Sequence, residues 1–469
     1  MFFRPAISEA IAEFLPEFQK VLGVSGVSTK ESILRQFSRD EGHFQVSLPS
    51  VVLSPKCTQQ VSDVLKVCHA NNLPVIPFGT GTGLEGGSVC SQGGVCLNLR
   101  EFVETPKVYE SDFVSSVRPG VTRLSLNEHL RNTGLFFPVD PGADASICGM
   151  VATSASGTNA IRYGTMKENV LNLEVVLADG KILNTRGKDR WPRKSSAGYN
   201  LTELFIGSEG TLGVITQATL RLYPRPTCFS AAVCSFPNVF SAATAVVQLL
   251  QLGVPVARIE LLDDVQVAAC NAYSNINLEV SPTLFMEFHG NEENDLIDQM
   301  KVVEELCISN GSRTFKSSTE PRRMKDLWKA RHDAFYAALA LRPGGKGFST
   351  DVCVPISRLA EVIAETRLDL EQNSITGTIV GHVGDGNFHV IMPVFEDDPE
   401  EMKKIYEFSD RLVGRALKAN GTCTGEHGIG LGKMKYLREE VGSNSLQLMR
   451  TLKLALDPKK ILNPGKVFI

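Results

Sequence analysis

A glycine-rich segment near residue 80 limits the folds that this chain can adopt. Gly81-Thr-Gly83-Leu-Glu-Gly86 matches the GxGxxG pattern and directly follows a predicted strand, 74–78. In a Rossmann turn a helix begins at this point, so that its amino terminus faces a pyrophosphate. Here glycine, serine and glutamine follow, and then an apolar run, 95–99, that predicts a second strand. This excludes a Rossmann turn, whereas a phosphate-binding nest of backbone amides and a plain glycine-rich hairpin both fit the pattern.

A second segment, 138–157, favours a bound ligand. It is rich in small residues, and the chain carries no charged residue from 145 to 161. A packed core would use larger side chains, so a long run of small ones is typical of backbone that lies against a large flat ligand. A third element in the same half, 207–215, begins with Gly-Ser-Glu-Gly. Together the three elements favour the phosphate-binding interpretation of the first.

In this order the three elements resemble the FAD-binding domain of the vanillyl-alcohol oxidase type of flavoprotein, over about residues 45–225. In that family the glycine-rich loop holds the FAD pyrophosphate, and the other two segments line the isoalloxazine and adenine. Residues 77–87 contain no histidine or cysteine that could carry a covalent flavin, so the resemblance implies non-covalent FAD. The resemblance assigns FAD binding to Pro77, Gly79, Thr80, Gly81, Thr82, Gly83, Pro141, Gly142, Asp144, Ala145, Gly149, Ala152, Ser156, Gly157, Gly210, Val214, Ile215 and Asn463.

Two histidines flank a Gly-Asp-Gly turn in the second half of the chain. If the flanks of this turn pair as a hairpin, His382 and His389 can point to one face. Glu426 and His427 follow within a second glycine cluster, 421–432. Two imidazoles and a carboxylate suit a divalent metal such as Zn or Mn. By spacing alone, a metal site and a set of hydrogen-bonded structural histidines remain equally compatible with the sequence.

A second resemblance bears on this choice. The segments 381–389 and 421–430, with the tail 456–466, resemble the C-terminal domain of the D-lactate and D-2-hydroxyglutarate dehydrogenase flavoproteins, and the run 254–260 matches the mitochondrial branch of that family. In this family the residues that match His382, His389 and Glu426 hold a divalent metal, here Zn or Mn. The residue that matches His427 is the catalytic base.

A predicted helix near residue 330 carries a candidate for binding the substrate carboxylate. Trp328, Arg331 and Phe335 share one helical face, and arginine suits bidentate carboxylate binding. A surface salt bridge is the other interpretation of Arg331, but in relatives an arginine at this place binds the carboxylate. The later segment 348–355 offers hydroxyls and no cation, which argues weakly against a substrate with a second carboxylate.

The resemblance implies an FAD- and metal-dependent oxidation of D-lactate and related D-2-hydroxy acids to 2-oxo acids, pyruvate in the case of D-lactate. The hydride passes to flavin N5 and His427 acts as the base. A D-2-hydroxyglutarate or glycolate dehydrogenase of the same family is the alternative. From other classes, a non-redox FAD enzyme such as an ether-lipid synthase and a flavin-free metallohydrolase fit less of the chain. Cytochrome c is the electron acceptor that the mitochondrial relatives imply.

Composition adds exclusions. With 48 basic and 52 acidic residues, the net charge of −4 gives no reason to expect nucleic acid or an anionic membrane as a partner. The eleven cysteines include no CxxC pair, which is typical of buried thiols in a reducing compartment. No stretch has the length and apolarity of a membrane span. The resemblance implies a mitochondrial location, although the first residues lack the Arg-rich composition of a transit peptide.

The sequence predicts an α+β protein in which an FAD-binding domain of the vanillyl-alcohol oxidase type is joined to a substrate domain with an antiparallel sheet. We expect an N-terminal helical segment at 1–44, with helical apolar spacing over 6–24, and the FAD-binding domain at 45–225. The substrate and metal domain follows at 226–430. The last segment, 431–469, is expected to return to the FAD-binding domain. The sequence leaves the oligomeric state open.

Overall fold

The computed structural model describes residues 10–468, except for the side chains of Asp326 and Leu327. Residues 6–9 of the expected N-terminal helix lie outside this part. The chain divides into two compact units. The first contains the residues through Ser156, Gly164–Arg225 and the chain from Glu426 onward, and the second contains Gly157–Tyr163 and Pro226–Gly425.

Two short segments differ from the predicted domain boundaries. Residues 157–163 join the second unit, where Tyr163 and Asn159 bond to side chains of its sheet. Residues 426–430 join the first unit, where the amides of Ile429 and Gly430 donate to the Glu209 carboxylate. In both places side-chain hydrogen bonds that the sequence does not reveal connect the segment to its unit.

Helices occur throughout the described residues. In chain order they are α1 (Leu15–Leu22), α2 (Glu31–Gln36), α3 (Thr58–Ala70), α4 (Arg123–His129), α5 (Ile147–Thr153), α6 (Ala160–Tyr163), α7 (Met166–Asn169), α8 (Leu201–Phe205), α9 (Val239–Gln251), α10 (Asp264–Ser274), α11 (Glu293–Ser309), α12 (Pro321–Ala340), α13 (Ile356–Gln372), α14 (Pro399–Lys418) and α15 (Met434–Leu456).

Local signals set the ends of several helices. Asp398 accepts hydrogen bonds from two amides in the first turn of α14, and Pro399 takes the first helical position, where its missing N–H costs nothing. Asn238 caps α9 and Asp263 caps α10 in the same way.

The first unit contains short sheets. Their strands are β1 (Val27–Ser28), β2 (Val51–Leu53), β3 (Val75–Phe78), β4 (Val95–Asn98), β5 (Lys107–Tyr109), β6 (Val114–Val117), β7 (Leu135–Phe136), β8 (Val170–Val176), β9 (Ile182–Asn184), β10 (Val214–Arg221) and β11 (Tyr223–Pro224). One sheet has the order β1-β2-β4-β3, with β2 and β3 parallel to β4. A second, antiparallel sheet has the order β5-β6-β10-β8-β9, and β7 pairs with β11.

The second unit is built on one antiparallel sheet, as the sequence predicts. Its order is β15-β12-β14-β13-β18-β19-β16, with β17 also paired to β19. The strands are β12 (Cys228–Ser235), β13 (Val256–Leu262), β14 (Thr283–Gly290), β15 (Thr314–Ser318), β16 (Lys346–Ser349), β17 (Val352–Cys353), β18 (Thr378–Gly381) and β19 (Asn387–Val394).

The register of this sheet places polar residues on the face that α12 covers. In β13, Arg258, Glu260 and Leu262 alternate onto one side, because successive side chains of a strand point to opposite faces. Leu262 packs in a cluster with Trp328 and Ala334 of α12, so this is the covered face. Charged residues therefore lie inside a contact that is otherwise apolar.

The C-terminal segment extends the first sheet. The amide of Val75 donates to the Ile461 carbonyl at 2.8 Å, and the amide of Asn463 donates to the Val75 carbonyl at 2.8 Å. Asp457, which is fully buried, accepts hydrogen bonds from the amides of Ile461 and Leu462 and from the Lys453 ammonium. The segment thus contributes backbone directly beside the strand that leads into the glycine-rich loop.

Two further findings concern membranes and thiols. None of the helices described above combines the length and apolarity that crossing a bilayer requires. Eight of the eleven cysteines are buried, and no disulfide joins any of them in the described chain.

We predict that Asp457→Ala lowers the free energy of unfolding by about 3–5 kcal/mol, because it leaves the partly buried Lys453 ammonium without its counter-charge and two buried amides without their acceptor. Urea denaturation followed by circular dichroism measures this. Asp298→Ala, which removes an exposed ion pair within α11, serves as the control and should change the value by less than about 0.5 kcal/mol. Equal losses in the two variants would contradict the anchoring role of Asp457.

Candidate active site

The glycine-rich loop after β3 presents backbone amides that are not used elsewhere. Among the described residues, none of the amides from 79 to 84 donates a hydrogen bond to another residue. Gly81 has φ +77°, and a Cβ there would lie 2.7 Å from the ring of Phe78. A side chain at this position would be both strained and crowded, so the backbone itself forms the surface. Such a loop can hold an anion through its N–H groups.

The three sequence elements meet around this loop within the first unit. The hydroxyl of Thr80 accepts a hydrogen bond from the amide of Ser146, just before α5. Cβ atoms added to Gly79 and Gly149 would lie 2.5 and 2.7 Å from the Ser146 hydroxyl, and one added to Gly210 would lie 3.0 Å from Pro77. These close approaches explain why the positions are glycine.

Asn463 joins the C-terminal segment to the same place. Its side-chain amide donates to the carbonyls of Gly87 at 2.9 Å and Glu209 at 2.7 Å. The segment therefore fastens both the glycine-rich loop and the 207–215 turn.

Several other residues assigned to FAD binding have structural contacts of their own. Asp144 accepts a hydrogen bond from the amide of Leu124 at the start of α4, and the carbonyl of Ala152 accepts one from Glu209. Val214 and Ile215 are buried in the core on β10. The remaining ones are the partly buried Thr82, Gly83, Pro141 and Ala145, the exposed Gly142, the buried Ser156, and Gly157, which belongs to the second unit.

Buried charges hold the segment that carries His427. Its Nδ1 lies 3.9 Å from Oε1 of Glu85, which also pairs with Lys433 at 3.2 Å. Glu209 accepts hydrogen bonds from the amides of Ile429 and Gly430 at 2.7 and 2.8 Å. Burial raises the pKa of Glu209, and the two amides and nearby lysines counteract this. Glu426 and His427 thus lie directly before Ile429 and Gly430, whose backbone amides are held by Glu209.

His382 and His389 come together in the second unit. As the turn between them predicts, β18 and β19 pair in antiparallel fashion, with Val380 opposite His389. The two imidazole rings lie with their centroids 5.5 Å apart and nearly perpendicular, and both side chains are buried.

The Nδ1 atoms of both histidines face acceptors. That of His382 lies 2.7 Å from Oε1 of Glu260, and that of His389 lies 3.1 Å from the Thr350 carbonyl. A neutral imidazole that donates through Nδ1 carries its lone pair on Nε2, which is the arrangement found in metal-binding histidines. The pair fits a divalent cation for this reason.

Arg331 is joined to the same carboxylate. Its Nε donates to Oε2 of Glu260 at 2.7 Å, while its two terminal nitrogens make no hydrogen bond to the described residues. Burial alone would raise the pKa of Glu260, but His382 and Arg331 hold it below its usual range. A guanidinium fixed through Nε keeps its terminal nitrogens for a second carboxylate.

The aromatic neighbours expected beside Arg331 differ from each other. Trp328 is buried in the core against Phe285, whereas Phe335 is 37% exposed. Phe335 instead lies against Gly347 of β16, the edge strand of the same sheet. The helical spacing placed these residues on one side, but a side chain of α12 at the edge of the sheet stays partly exposed.

Sequence reasoning missed a polar row on the covered face of the sheet. Its members are Arg258, Glu260, Glu287 and His289, with Tyr163 from α6. His289 contacts Glu287 at 2.6 Å and the Tyr163 hydroxyl at 2.9 Å, and Arg258 lies 3.6 Å from Glu287. The available signal was charged residues inside predicted strands, as in Arg-Ile-Glu at 258–260.

Asp351 was also missed. It is buried and accepts hydrogen bonds from the Asn387 amide and the Thr424 hydroxyl, both at 2.7 Å. Gly425 lies so close that a Cβ there would come within 2.1 Å of Asn387. Packing against Asn387 therefore requires glycine at position 425, directly before Glu426.

Comparisons with known proteins show the family and the fold of this chain. Residues 49–186 match the model of an FAD binding domain, and residues 225–467 match that of FAD linked oxidases, C-terminal domain. A probable mitochondrial D-lactate dehydrogenase of Danio rerio is 56% identical, covering 98% of this chain and 93% of the relative. A mitochondrial D-lactate dehydrogenase [cytochrome] of Arabidopsis thaliana is 43% identical, covering 91% and 74%. The structure of 4-ethylphenol oxidase from Gulosibacter chungangensis has the same fold, with TM-score 0.81, 20% identity and coverage of 98% and 97%.

Proposed function

This chain belongs to the FAD-linked oxidases, in the D-lactate dehydrogenase family, and from that premise we propose that it oxidises D-lactate to pyruvate, with related D-2-hydroxy acids as further substrates. The observation that carries the proposal is the Glu260 carboxylate, which joins a histidine of metal-binding type to an arginine with unused donors. A 2-hydroxy acid carries a carboxylate next to a hydroxyl. The carboxylate suits the arginine, and the hydroxyl suits a metal held by the histidine.

FAD is the proposed hydride acceptor. The unused amides of 79–84 support binding of its pyrophosphate by the glycine-rich loop. When bound, FAD supplies the N5 atom that receives a hydride from the substrate carbon. The absence of histidine and cysteine from 77–87 favours a non-covalent complex.

We propose that His382, His389 and Glu426 hold one divalent metal, Zn or Mn. The orientation of both imidazoles by acceptors at Nδ1 supports the two histidines, and the family resemblance supports Glu426. A cation held by these residues would act as a Lewis acid and lower the pKa of a neighbouring hydroxyl.

Arg331 is the proposed carboxylate-binding residue. Its side chain is 19% exposed, so it is shielded from water but still reachable by a small ligand. Because Nε is already engaged by Glu260, the terminal nitrogens are pre-oriented and less side-chain entropy is lost when a carboxylate binds.

His427 is the proposed base that accepts the hydroxyl proton. Its side chain is 12% exposed, with Glu85 and Lys433 nearby, and the amides that follow it are held by Glu209. These contacts support a fixed position for the imidazole, which general-base catalysis requires.

The charges of the second unit favour D-lactate over D-2-hydroxyglutarate. The segment 348–355 offers hydroxyls but no cation that could bind a second substrate carboxylate. D-2-hydroxyglutarate or glycolate as the main substrate remains the alternative.

The proposed electron acceptor is cytochrome c, and the proposed location is the mitochondrion. Both rest on the names of the relatives, which include a mitochondrial D-lactate dehydrogenase [cytochrome]. Cytochrome c reduction by the D-lactate-reduced protein tests the first part directly.

The main test is stopped-flow measurement of flavin reduction. The purified holoprotein is mixed anaerobically with D-lactate, L-lactate, glycolate and D-2-hydroxyglutarate, with and without prior treatment with a chelator. Rapid bleaching of the flavin by D-lactate, lost after chelation and restored by Zn or Mn, is the expected result. If one of the other acids reduced the flavin faster, that acid would replace D-lactate as the proposed substrate. If no acid reduced the flavin, a non-redox FAD enzyme would be the better interpretation.

We predict that Gly83→Ala weakens FAD binding at least about tenfold, since a methyl group on a phosphate-facing loop blocks close backbone approach. The apo fold should tolerate it, because the only atom near the added Cβ is Asp40 Oδ2 at 3.6 Å. Gly414→Ala in α14, where nothing lies within 4 Å, is the matched control. Titration of apoprotein with FAD provides the dissociation constants, and equal values for the two variants would remove the loop from the site.

We predict that His427→Ala slows flavin reduction by D-lactate by about 10²–10⁴-fold while FAD stays bound, because the hydroxyl proton loses its acceptor. His129→Ala, an exposed histidine at the end of α4, is the control and should reduce at the normal rate. Normal reduction in His427→Ala would exclude it as the base.

A further inference from the structure

One carboxylate in the second unit serves two functional groups at once. Glu260 is completely buried, and each of its oxygens accepts from one donor: Oε1 from His382 and Oε2 from Arg331, both at 2.7 Å. Among the described residues it has no other hydrogen-bond partner. The three side chains come from three separate elements, β13, α12 and the turn after β18.

We propose that Glu260 is a positioning residue that couples metal binding to substrate-carboxylate binding. One oxygen keeps the proton of His382 on Nδ1, so that Nε2 is presented to the metal. The other oxygen fixes the plane of the Arg331 guanidinium. This rests on the proposed function, in which His382 and Arg331 bind the metal and the 2-hydroxy acid.

The chemistry of the bridge requires a carboxylate and not merely a polar group. Both partners are donors, and only an ionised carboxylate offers acceptors on both oxygens. An amide would place its NH₂ against either Nδ1–H of His382 or Nε–H of Arg331. In the first case the histidine must move its proton to Nε2 or rotate, and in the second the guanidinium is released.

Burial makes the two contacts interdependent. A charge that water cannot reach is kept only while its partners remain in place. A displacement of Arg331 by a ligand therefore changes the environment of the atom that orients His382, and the reverse also holds. Reciprocity of this kind is required by thermodynamic linkage.

The test compares Glu260→Gln, Arg331→Met and the unaltered holoprotein by two measurements. The first is the dissociation constant of Mn²⁺ alone, from electron paramagnetic resonance of the free ion after chelation and buffer exchange. The second is the KM for D-lactate in flavin reduction at saturating Mn²⁺. Loss of an orienting partner costs metal affinity roughly 10- to 100-fold in comparable sites.

We expect Glu260→Gln to weaken Mn²⁺ binding by about 10-fold or more and to raise KM by about 10-fold or more. Arg331→Met should raise KM similarly and change the Mn²⁺ constant by less than Glu260→Gln does, because Glu260 still accepts from His382 but has lost the second donor to its buried charge. Mn²⁺ binding by Glu260→Gln equal to that of the unaltered protein would overturn the proposal.

Asp263→Asn is the control for loss of a buried carboxylate. Asp263 is fully buried in the same unit, and its side chain pairs with Arg367, which is not assigned to the site. This variant should be less stable, but its Mn²⁺ dissociation constant and its KM for D-lactate should equal those of the unaltered protein. If it shifted them as much as Glu260→Gln does, the effect would be one of general stability and the proposal would fail.

Glu260→Asp covers the case in which the glutamine variant does not fold. It keeps the charge but is one methylene shorter, so it cannot reach both donors, and at least one of the two constants should weaken. Both constants unchanged in Glu260→Asp would contradict the bridging role. Failure of the proposed function is distinct from this, because the unaltered protein itself would then bind no Mn²⁺ or leave its flavin oxidised with D-lactate.

Discussion

A carboxylate without access to water, that of Glu260, is the interaction on which the polar face of the second unit depends. Burying it is unfavourable by itself, and only the hydrogen bonds from His382 and Arg331 keep it ionised. Because the three residues come from different elements, the same contacts that stabilise the charge also fix α12 over β13 and β18. The sheet can therefore carry reactive groups inside a contact that apolar residues such as Trp328 otherwise fill.

The first unit uses buried carboxylates in a different way. Glu209 and Asp457 accept hydrogen bonds from backbone amides of the chain after Glu426, and Glu85 pairs with Lys433 in the same stretch. Acceptors of this kind replace the sheet hydrogen bonds that an irregular segment lacks. The loop at 79–84, in contrast, keeps its amides unused, as a site for an external anion requires. The buried carboxylates thus fix the backbone after Glu426, while the amides of the loop at 79–84 stay accessible to a ligand.

Features that depend on neighbouring residues could be predicted from the sequence. The strand before the glycine-rich loop, the hairpin that brings His382 and His389 together, and the helix that begins at Pro399 all follow from local periodicity and turn residues. Features that depend on distant pairing could not. Glu260 lies 71 positions from Arg331 and 122 from His382, so nothing in its local sequence shows that it joins them. The exposure of Phe335 could not be predicted for the same reason, since helical spacing does not show which strand of the sheet a residue lies over.

By itself, the sequence determined the type of fold, the glycine positions that leave backbone amides accessible, and the residue types that can bind a metal or a carboxylate. These are set by conformational preferences and side-chain chemistry, which belong to each residue wherever it lies. The tertiary structure alone decided which carboxylate orients which histidine, and which arginine keeps unused donors. The physical reason is strand register: moving β13 by one residue would turn Glu260 to the opposite face and leave His382 and Arg331 without their common acceptor.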